Sequence, residues 1–285
     1  MSKPIPERRL SDHPLGTYAL SGATLAWRNW ANGLPDSKPA RWVMSLVRRF
    51  TLSGRAEPVD VPIFAGLHAR LYPTTNRCEK RMFVGERTWD AEERAALGKA
   101  LAASRPDRSF VFVDGGANVG MYTLSMLSEA RKAGRAVKAI AIEPDPTNLG
   151  RLRDNLAASA AHEASVAPYA LGAERGVAMI ESEQTNRGEV RVSDKGTVEV
   201  ALMPLAEILA EAGVDYVDAL KLDIEGYELP VLTAFFAKAA KALWPRLILL
   251  EVQKHGETPA YDLCLKSGYE LAERTRLNAL LRLKA

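Results

Sequence analysis

Phe110-Val-Phe-Val-Asp-Gly-Gly-Ala-Asn-Val-Gly120 decides the fold. It is an apolar run of strand length, then an acid, then a glycine-rich turn leading into residues that open a helix. This order predicts a strand that ends at the carboxyl edge of a parallel sheet, with backbone N–H groups and a carboxylate gathered around a small ligand. Gly115 and Gly116, without Cβ atoms, are expected to turn the chain sharply and let the ligand approach the backbone. Asp114 is expected at the strand end, facing that ligand. Taken alone, the same pattern also describes an ordinary strand-to-helix connection.

The following residues decide between the two. Val137 to Glu143 is a second apolar strand ending in an acid, about 20 residues after the turn, where a nucleotide-binding unit places its ribose-binding carboxylate. Between them, Met121 to Lys132 carries Leu124, Leu127 and Ala130 on one helical face, completing a βαβ unit. A dinucleotide fingerprint is Gly-x-Gly-x-x-Gly, whereas here Gly116, Asn118 and Gly120 recur at every second position behind Asp114. An acid in that place suits the amino and carboxyl ends of an amino-acid cofactor. S-adenosylmethionine is therefore favoured over NAD.

The chain of 285 residues has room for one large α/β domain with an appendage. Its 47% hydrophobic and 26% charged residues are ordinary for a globular protein. No run reaches about 18 apolar residues, so no membrane span is expected. The sequence Met-Ser-Lys-Pro-Ile-Pro-Glu-Arg-Arg lacks the apolar stretch of a secretory signal and points to the cytoplasm. Cys78 and Cys264, the only cysteines, are too few and too far apart for a metal cage or a disulfide framework. A net charge of +3 gives no argument for nucleic acid. The basic excess lies in the leader: Lys3, Arg8, Arg9, Arg28, Lys38, Arg41, Arg48, Arg49 and Arg55 stand against Glu7, Asp12 and Asp36.

Residues 1–106 are expected to form an N-terminal extension. A helix from Ala40 to Leu52 puts Trp42, Val43, Leu46, Val47 and Phe50 on one side, flanked by Arg41, Arg48 and Arg49. Such a face packs on its own domain, on a second subunit in a homo-oligomer, or on an anionic membrane surface. Val59 to Tyr72 reads as a hairpin broken at Ala65-Gly66, Asn76 to Arg81 as a polar connection, and Thr88 to about Ala103 as a helix. Residues 107–285 are expected to form the cofactor domain. A helix from Pro146 to about Ser159 leads to a third strand, Val166 to Leu171. Short β pieces between Gly176 and Leu202 form an excursion suited to substrate selection. A helix over Pro204 to Ala212, a fourth strand (Ala219 to Leu222) and a helix over Tyr227 to Ala242 follow. The fifth strand (Leu247 to Val252), a helix (Thr258 to Lys266) and a closing antiparallel pair (Tyr269 to Glu273, Leu277 to Leu283) end the chain.

Asp114-Gly-Gly-Ala-Asn-Val-Gly120 with Tyr122-Thr123-Leu124, then Glu143-Pro-Asp-Pro-Thr-Asn148 and Asn155, then Leu220-Lys-Leu-Asp-Ile-Glu-Gly-Tyr-Glu228, resemble the FkbM-type family of S-adenosylmethionine-dependent methyltransferases. The resemblance covers about Phe110 to Ala285. It implies a class I methyltransferase fold, that is, a Rossmann-like, mostly parallel sheet with a C-terminal antiparallel pair. It also implies methyl transfer, commonly to a hydroxyl oxygen of a sugar or polyketide-like product. The family's usual valine after the first aspartate is Gly115 here, which implies a looser turn.

The candidate residues follow. Glu143 is expected to hold the ribose hydroxyls, with Pro144 beside it. Asp114, Gly115 and the N–H groups from Gly116 through Ala117 and Asn118 to Gly120 are expected to hold the methionine end, and Ala170, Leu171 and Gly172 to border the adenine. An acceptor hydroxyl needs a base or a metal ion nearby. Asp223 and Glu225, beyond the fourth strand, are the candidates for acceptor binding and base, with Lys221 offsetting their repulsion. Glu225-Gly226 also reads as a helix start with a favourable first-turn acid. Glu251 and His255 complete the catalytic set. Together with Asp223 and Glu225 they form a less favoured divalent-metal set for magnesium or calcium, and His255 is also a candidate base. The expected acceptor is a small molecule or saccharide. A NAD-dependent oxidoreductase and a non-catalytic cofactor-binding scaffold are the alternatives.

Overall fold

Ser21 and Ser37 each cap a helix by accepting a hydrogen bond from a backbone N–H three residues on, Thr24 and Ala40 respectively. These helices are α1 (Gly22–Asn32) and α2 (Lys38–Leu52). In the computed structural model, residues 9–183, 186–192, 196–252 and 258–284 are described, with backbone alone at 182–183 and 186–192. Helix α1 is not anticipated above, although Ser21 before an amphipathic run is a legible start signal. The hairpin β1 (Val59–Ile63) and β2 (Leu67–Leu71) turns through Gly66 at φ +78°. Asn76 to Arg81 is not a connection. Asn76 accepts from the N–H groups of Cys78 and Glu79 and starts α3 (Arg77–Phe83), and α4 (Ala91–Ala103) follows.

The cofactor domain runs β3 (Phe110–Gly115), α5 (Met121–Lys132), β4 (Val137–Ile142), α6 (Pro146–Ala158), β5 (Ala164–Ala167), β6 (Ala170–Gly172), β7 (Gly176–Glu183), β8 (Asn186–Val192) and β9 (Val198–Pro204). It continues with α7 (Leu205–Glu211), β10 (Ala219–Leu222), α8 (Glu228–Lys238), β11 (Leu247–Glu251), α9 (Pro259–Lys266), β12 (Tyr269–Arg274) and β13 (Asn278–Leu283). Seven strands form one sheet in the order β12-β13-β11-β10-β3-β4-β5. The run from β11 to β5 is parallel, and β13 is antiparallel to both its neighbours. This is the class I methyltransferase topology expected from the order of elements. The expected third strand, however, is two. Pro168 has no N–H for a ladder, and the chain leaves the main sheet there. β6 then opens a second sheet ordered β6-β9-β7-β8.

Side chains of the parallel strands divide by the period of two into two apolar cores. Phe110, Phe112, Ala139, Ala141 and Leu249 join the core shared with α5, α6 and the N-terminal extension. Val111, Val113, Ile140, Ile142, Leu220 and Leu250 face α7, α8 and α9. Helix α5 is buried from Met121 to Ser128, well beyond the single face formed by Leu124, Leu127 and Ala130, because the extension covers the side turned from the sheet. The extension is thus continuous with the core across residue 106. Polar locks reinforce it. Arg151 of α6 pairs with Glu79 at 2.8 Å, and Arg70 pairs with Asp60 at 2.7 Å, all four side chains being buried. Asn155 accepts from the Arg70 N–H and donates to the Val119 carbonyl, joining hairpin, helix and glycine turn.

Helix α2 presents a different face from the one expected. Ala40, Met44, Val47 and Thr51 are buried, with the Thr51 hydroxyl satisfied by the Val47 carbonyl, while Trp42, Leu46 and Phe50 stand in solvent. Arg28 and Arg48, counted above in the basic leader, are structural anchors. They donate to the carbonyls of Phe83 and Val84, both at 2.7 Å.

Candidate active site

Strand order reverses between β3 and β10: β3 continues through α5 to β4 on one side, and the chain later returns to β10 on the other. Ligands of open α/β sheets bind at the carboxyl ends of strands at such a point. A cavity of about 1220 Å³ opens here, lined from the cofactor domain by Gly116 to Asn118, Glu143, Tyr169 to Leu171, Asp223 and Glu251 among others. Cys78, Arg81, Asp90 and Tyr122 close it from the side of the extension and α5.

The glycine turn works differently from the sequence expectation. Gly115 is the last residue of β3, paired with Leu222, and a Cβ there would lie 3.0–3.2 Å from Leu222, Leu171 and the Lys221 carbonyl. It serves close strand packing, and the turn is not loosened. Gly116 has φ +73°, and its missing Cβ leaves room for the carbonyl of Asp223, which would be 1.9 Å away. Gly120 has φ +87° and accommodates Leu152, 2.5 Å from where its Cβ would stand. The N–H groups expected to hold the methionine end are committed: those of Gly116 and Ala117 donate to the Ile142 carbonyl, and that of Asn118 to Glu143. Gly116, Ala117 and Asn118 still line the cavity, whereas Asp114, Gly115 and Gly120 lie behind it.

Asp114 is fully buried and does not face a ligand. Its Oδ2 accepts from the N–H and hydroxyl of Thr123 in the first turn of α5, and its Oδ1 lies 3.5 Å from the Lys221 ammonium. Lys221 also lies 3.5 Å from Asp223 and donates to the Gly116 carbonyl at 2.7 Å. Burial disfavours its charge, but Asp223 and Asp114 outweigh that and raise its pKa. Lys221 is therefore a fixed cation under the turn, between Asp114 and Asp223.

Glu143 does line the cavity. Its two oxygens accept from the N–H groups of Asn118 (2.7 Å) and Asp145 (2.9 Å), and burial pushes its carboxyl up to about 7 against these donors. Pro144, Tyr169, Ala170 and Leu171 form an apolar wall beside it. A carboxylate with lone pairs to spare next to an apolar slot fits an adenosine, and the acids farther along fit a sulfonium. Asp145 caps α6 at Thr147 and Asn148.

Asp223 and Glu251 meet across the ends of β10 and β11. Burial, then Asp223 and further acids, pushes Glu251 up to about 8, and the two side chains hydrogen-bond to each other. Glu225 lines the cavity in a left-handed conformation at φ +56° but is not the cap. Glu228 does that work, accepting from the N–H groups of Ile224 and Gly226 and so fixing the loop that carries Asp223. His255 lies outside the described residues. Among the described residues no three acidic, histidine or cysteine side chains converge as a metal-holding group.

Several residues were not legible as site residues. The Tyr122 hydroxyl donates to Asp90 at 3.0 Å, and the Trp89 ring packs against Tyr122 at 4.9 Å, tilted by 60°. Tyr122 directly follows the glycine motif, which is its only local signal. Asn76 donates to the Asn118 side chain at 2.9 Å, holding that residue at φ +52°. Asn76→Ala should remove both this tie and the α3 cap, lowering stability by about 1–2 kcal/mol. Urea unfolding checks the loss, and an unchanged midpoint would contradict it.

The profile of the methyltransferase FkbM domain matches residues 114–270. No curated protein shows significant similarity to the chain. Among solved structures, a precorrin-6y C5,15-methyltransferase from Geobacter metallireducens is 15% identical over 68% of this chain and 88% of that one, with a TM-score of 0.40. M. jannaschii TYW2 in complex with AdoMet is 13% identical over 81% and 86%, TM-score 0.41. A SAM-dependent methyltransferase from Agrobacterium tumefaciens is 9% identical over 80% and 70%, TM-score 0.45. At these scores the likenesses add nothing to what the strand order already establishes.

Proposed function

We propose, from the premise that the chain belongs to the FkbM family of S-adenosylmethionine-dependent methyltransferases, that it methylates a hydroxyl oxygen of a saccharide, glycolipid precursor or related metabolite, with residues 107–285 holding the cofactor. What supports the oxygen reading is the Asp223–Glu251 pair at the switch point, where burial and the neighbouring Asp223 push the Glu251 carboxyl up to about 8. A hydroxyl must lose its proton as it reacts, and Asp223, which lines the cavity beside Lys221, is the group in place to take it.

S-adenosylmethionine supplies a methyl group already activated by its sulfonium. Glu143 would accept hydrogen bonds from the ribose hydroxyls, and Pro144, Ala170 and Leu171 would border the base. Asp114 acts at one remove, fixing Thr123 and Lys221 beneath the turn. Asp223 orients the acceptor hydroxyl and receives its proton, while Glu251 holds Asp223 in place through their hydrogen bond. Glu225 and Tyr122 shape the acceptor side of the cavity and so align the acceptor.

Calorimetry with S-adenosylmethionine and with NAD tests the cofactor, and binding of NAD alone overturns this reading. Nothing in the comparisons supports the oxidoreductase alternative. The titration also has a signed pH dependence. Hydroxyl donors favour ionised Glu143, whose pKa in the free protein is about 7. Affinity should therefore be constant above pH 7 and fall below it, approaching tenfold per pH unit, and Glu143→Gln should remove the slope. Transfer of labelled methyl into a panel of free and lipid-linked saccharides, with mass spectrometry locating the label, tests the acceptor atom. Label on nitrogen or carbon overturns the oxygen assignment.

A further inference from the structure

Every exposed tryptophan and phenylalanine among the described residues lies on the α1–α2 hairpin. Trp27 is 54% exposed, Trp30 51%, Trp42 66% and Phe50 75%, with Leu46 at 45%. A globular surface rarely shows such a cluster without a partner. Trp42, Leu46 and Phe50 recur every four residues and so form one ridge of α2. Trp27 and Trp30, three apart on α1, meet edge to face at 5.7 Å. The two helices pack on each other through the opposite faces, including Ala31, Ala40, Met44 and Val47.

The charges beside the ridge are of one sign. Lys38 and Arg49 are exposed along its flank, Arg55 is exposed just beyond the helix, and none of the three has an ion pair among the described residues. Asp36 is the one acid between His13 and Ala56, and it is bound to Arg41 at 2.6 Å. A second copy of the chain docked face to face on this hairpin would set Lys38 and Arg49 against their own counterparts with no acid to offset them. None of the five apolar side chains lines the central cavity, so the face stands apart from the proposed cofactor site. Rings with an apolar body and a polar N–H, rimmed by lysine and arginine, match the boundary between acyl chains and anionic headgroups.

We infer that the α1–α2 hairpin docks on an anionic lipid surface, with Trp27, Trp30, Trp42, Leu46 and Phe50 entering the interface and Lys38, Arg49 and Arg55 among the headgroups. The protein is then peripheral, since no helix among the described residues is long and apolar enough to cross a membrane. The same helix borders the active site: Arg41, Met44, Ser45 and Arg48 line the cavity on another side of α2. Docking therefore brings the cavity mouth beside the headgroups, where an acceptor carried on a lipid is presented to Asp223. That consequence rests on the methyl-transfer reading, whereas the docking does not.

The test is co-sedimentation of the full chain, without cofactor, with phosphatidylcholine vesicles that contain or lack phosphatidylglycerol. The chain is expected to sediment with the anionic vesicles, to be released by high salt, and to shift its tryptophan emission to the blue. Two double variants, W42S with F50S and K38E with R49E, replace exposed side chains only. Each is expected to weaken partitioning about tenfold or more while leaving S-adenosylmethionine affinity unchanged. Equal binding to both vesicle types, or to neither, overturns the inference. So does a dimer in sedimentation velocity that W42S with F50S converts to monomer without any vesicle binding. Failure of cofactor binding in calorimetry bears on the proposed reaction alone.

Discussion

Gly116→Ala is expected to destabilise the protein by about 2–5 kcal/mol and to abolish cofactor binding. Two costs add. The residue sits at φ +73°, where an L side chain costs roughly 1–2 kcal/mol. The new Cβ would also lie 1.9 Å from the Asp223 carbonyl, a backbone atom that cannot rotate away. Relief requires β3 and β10 to part at their carboxyl ends, with the off-register packing penalty of about 1–3 kcal/mol seen when cores are overfilled. The same movement drags Asp223 from Lys221 and the Gly116 carbonyl from its ammonium donor. Urea unfolding and calorimetry with S-adenosylmethionine measure the two effects. A variant of native stability that still binds would mean that the turn is not wedged against β10 as described.

The second large effect is catalytic. Asp223→Asn keeps the shape of the side chain but removes the base, so kcat should fall by about 10²–10⁴ while cofactor affinity changes little. Lys221 retains Asp114 as a partner at 3.5 Å, which is why the fold should tolerate the change. Glu251→Gln keeps a donor toward Asp223 and should be milder, but it removes a titrating group. The wild-type rate profile should therefore carry an inflection near pH 8 that the variant lacks. Methylation undiminished in Asp223→Asn removes Asp223 from the mechanism. If Asp223→Asn and Glu251→Gln together leave S-adenosylmethionine binding intact and no condition gives turnover in the wild type, the non-catalytic scaffold becomes the better account.

Sequence alone carried the elements of the cofactor domain. An all-apolar run such as Phe110 to Val113 has no polar face, so it belongs in the middle of a parallel sheet, and Pro146 and Asp145 mark the start of α6 without ambiguity. The spacing from the glycine turn to Glu143 likewise placed a carboxylate at the neighbouring strand end, because strand and helix lengths leave little choice. These properties depend on neighbours a few positions apart in the chain.

Tertiary structure decided what each polar group faces. Asp114 turned inward because Lys221, more than a hundred residues later, stands beneath it and Thr123 offers two donors. The N–H groups of the turn went to Ile142 and Glu143, Asn76 came to hold Asn118 from 42 residues earlier, and Asp90 and Tyr122 met at the cavity from the starts of two different helices. On α2 the sequence reading put Trp42, Val43, Leu46, Val47 and Phe50 on one packing side, whereas the fold buries Ala40, Met44, Val47 and Thr51. Close packing of two helices favours the smaller side chains between them, and that left the aromatic ridge in solvent. A periodic pattern fixes which residues share a face. Only the non-local partners, competing for burial and for each buried charge, fix where that face points.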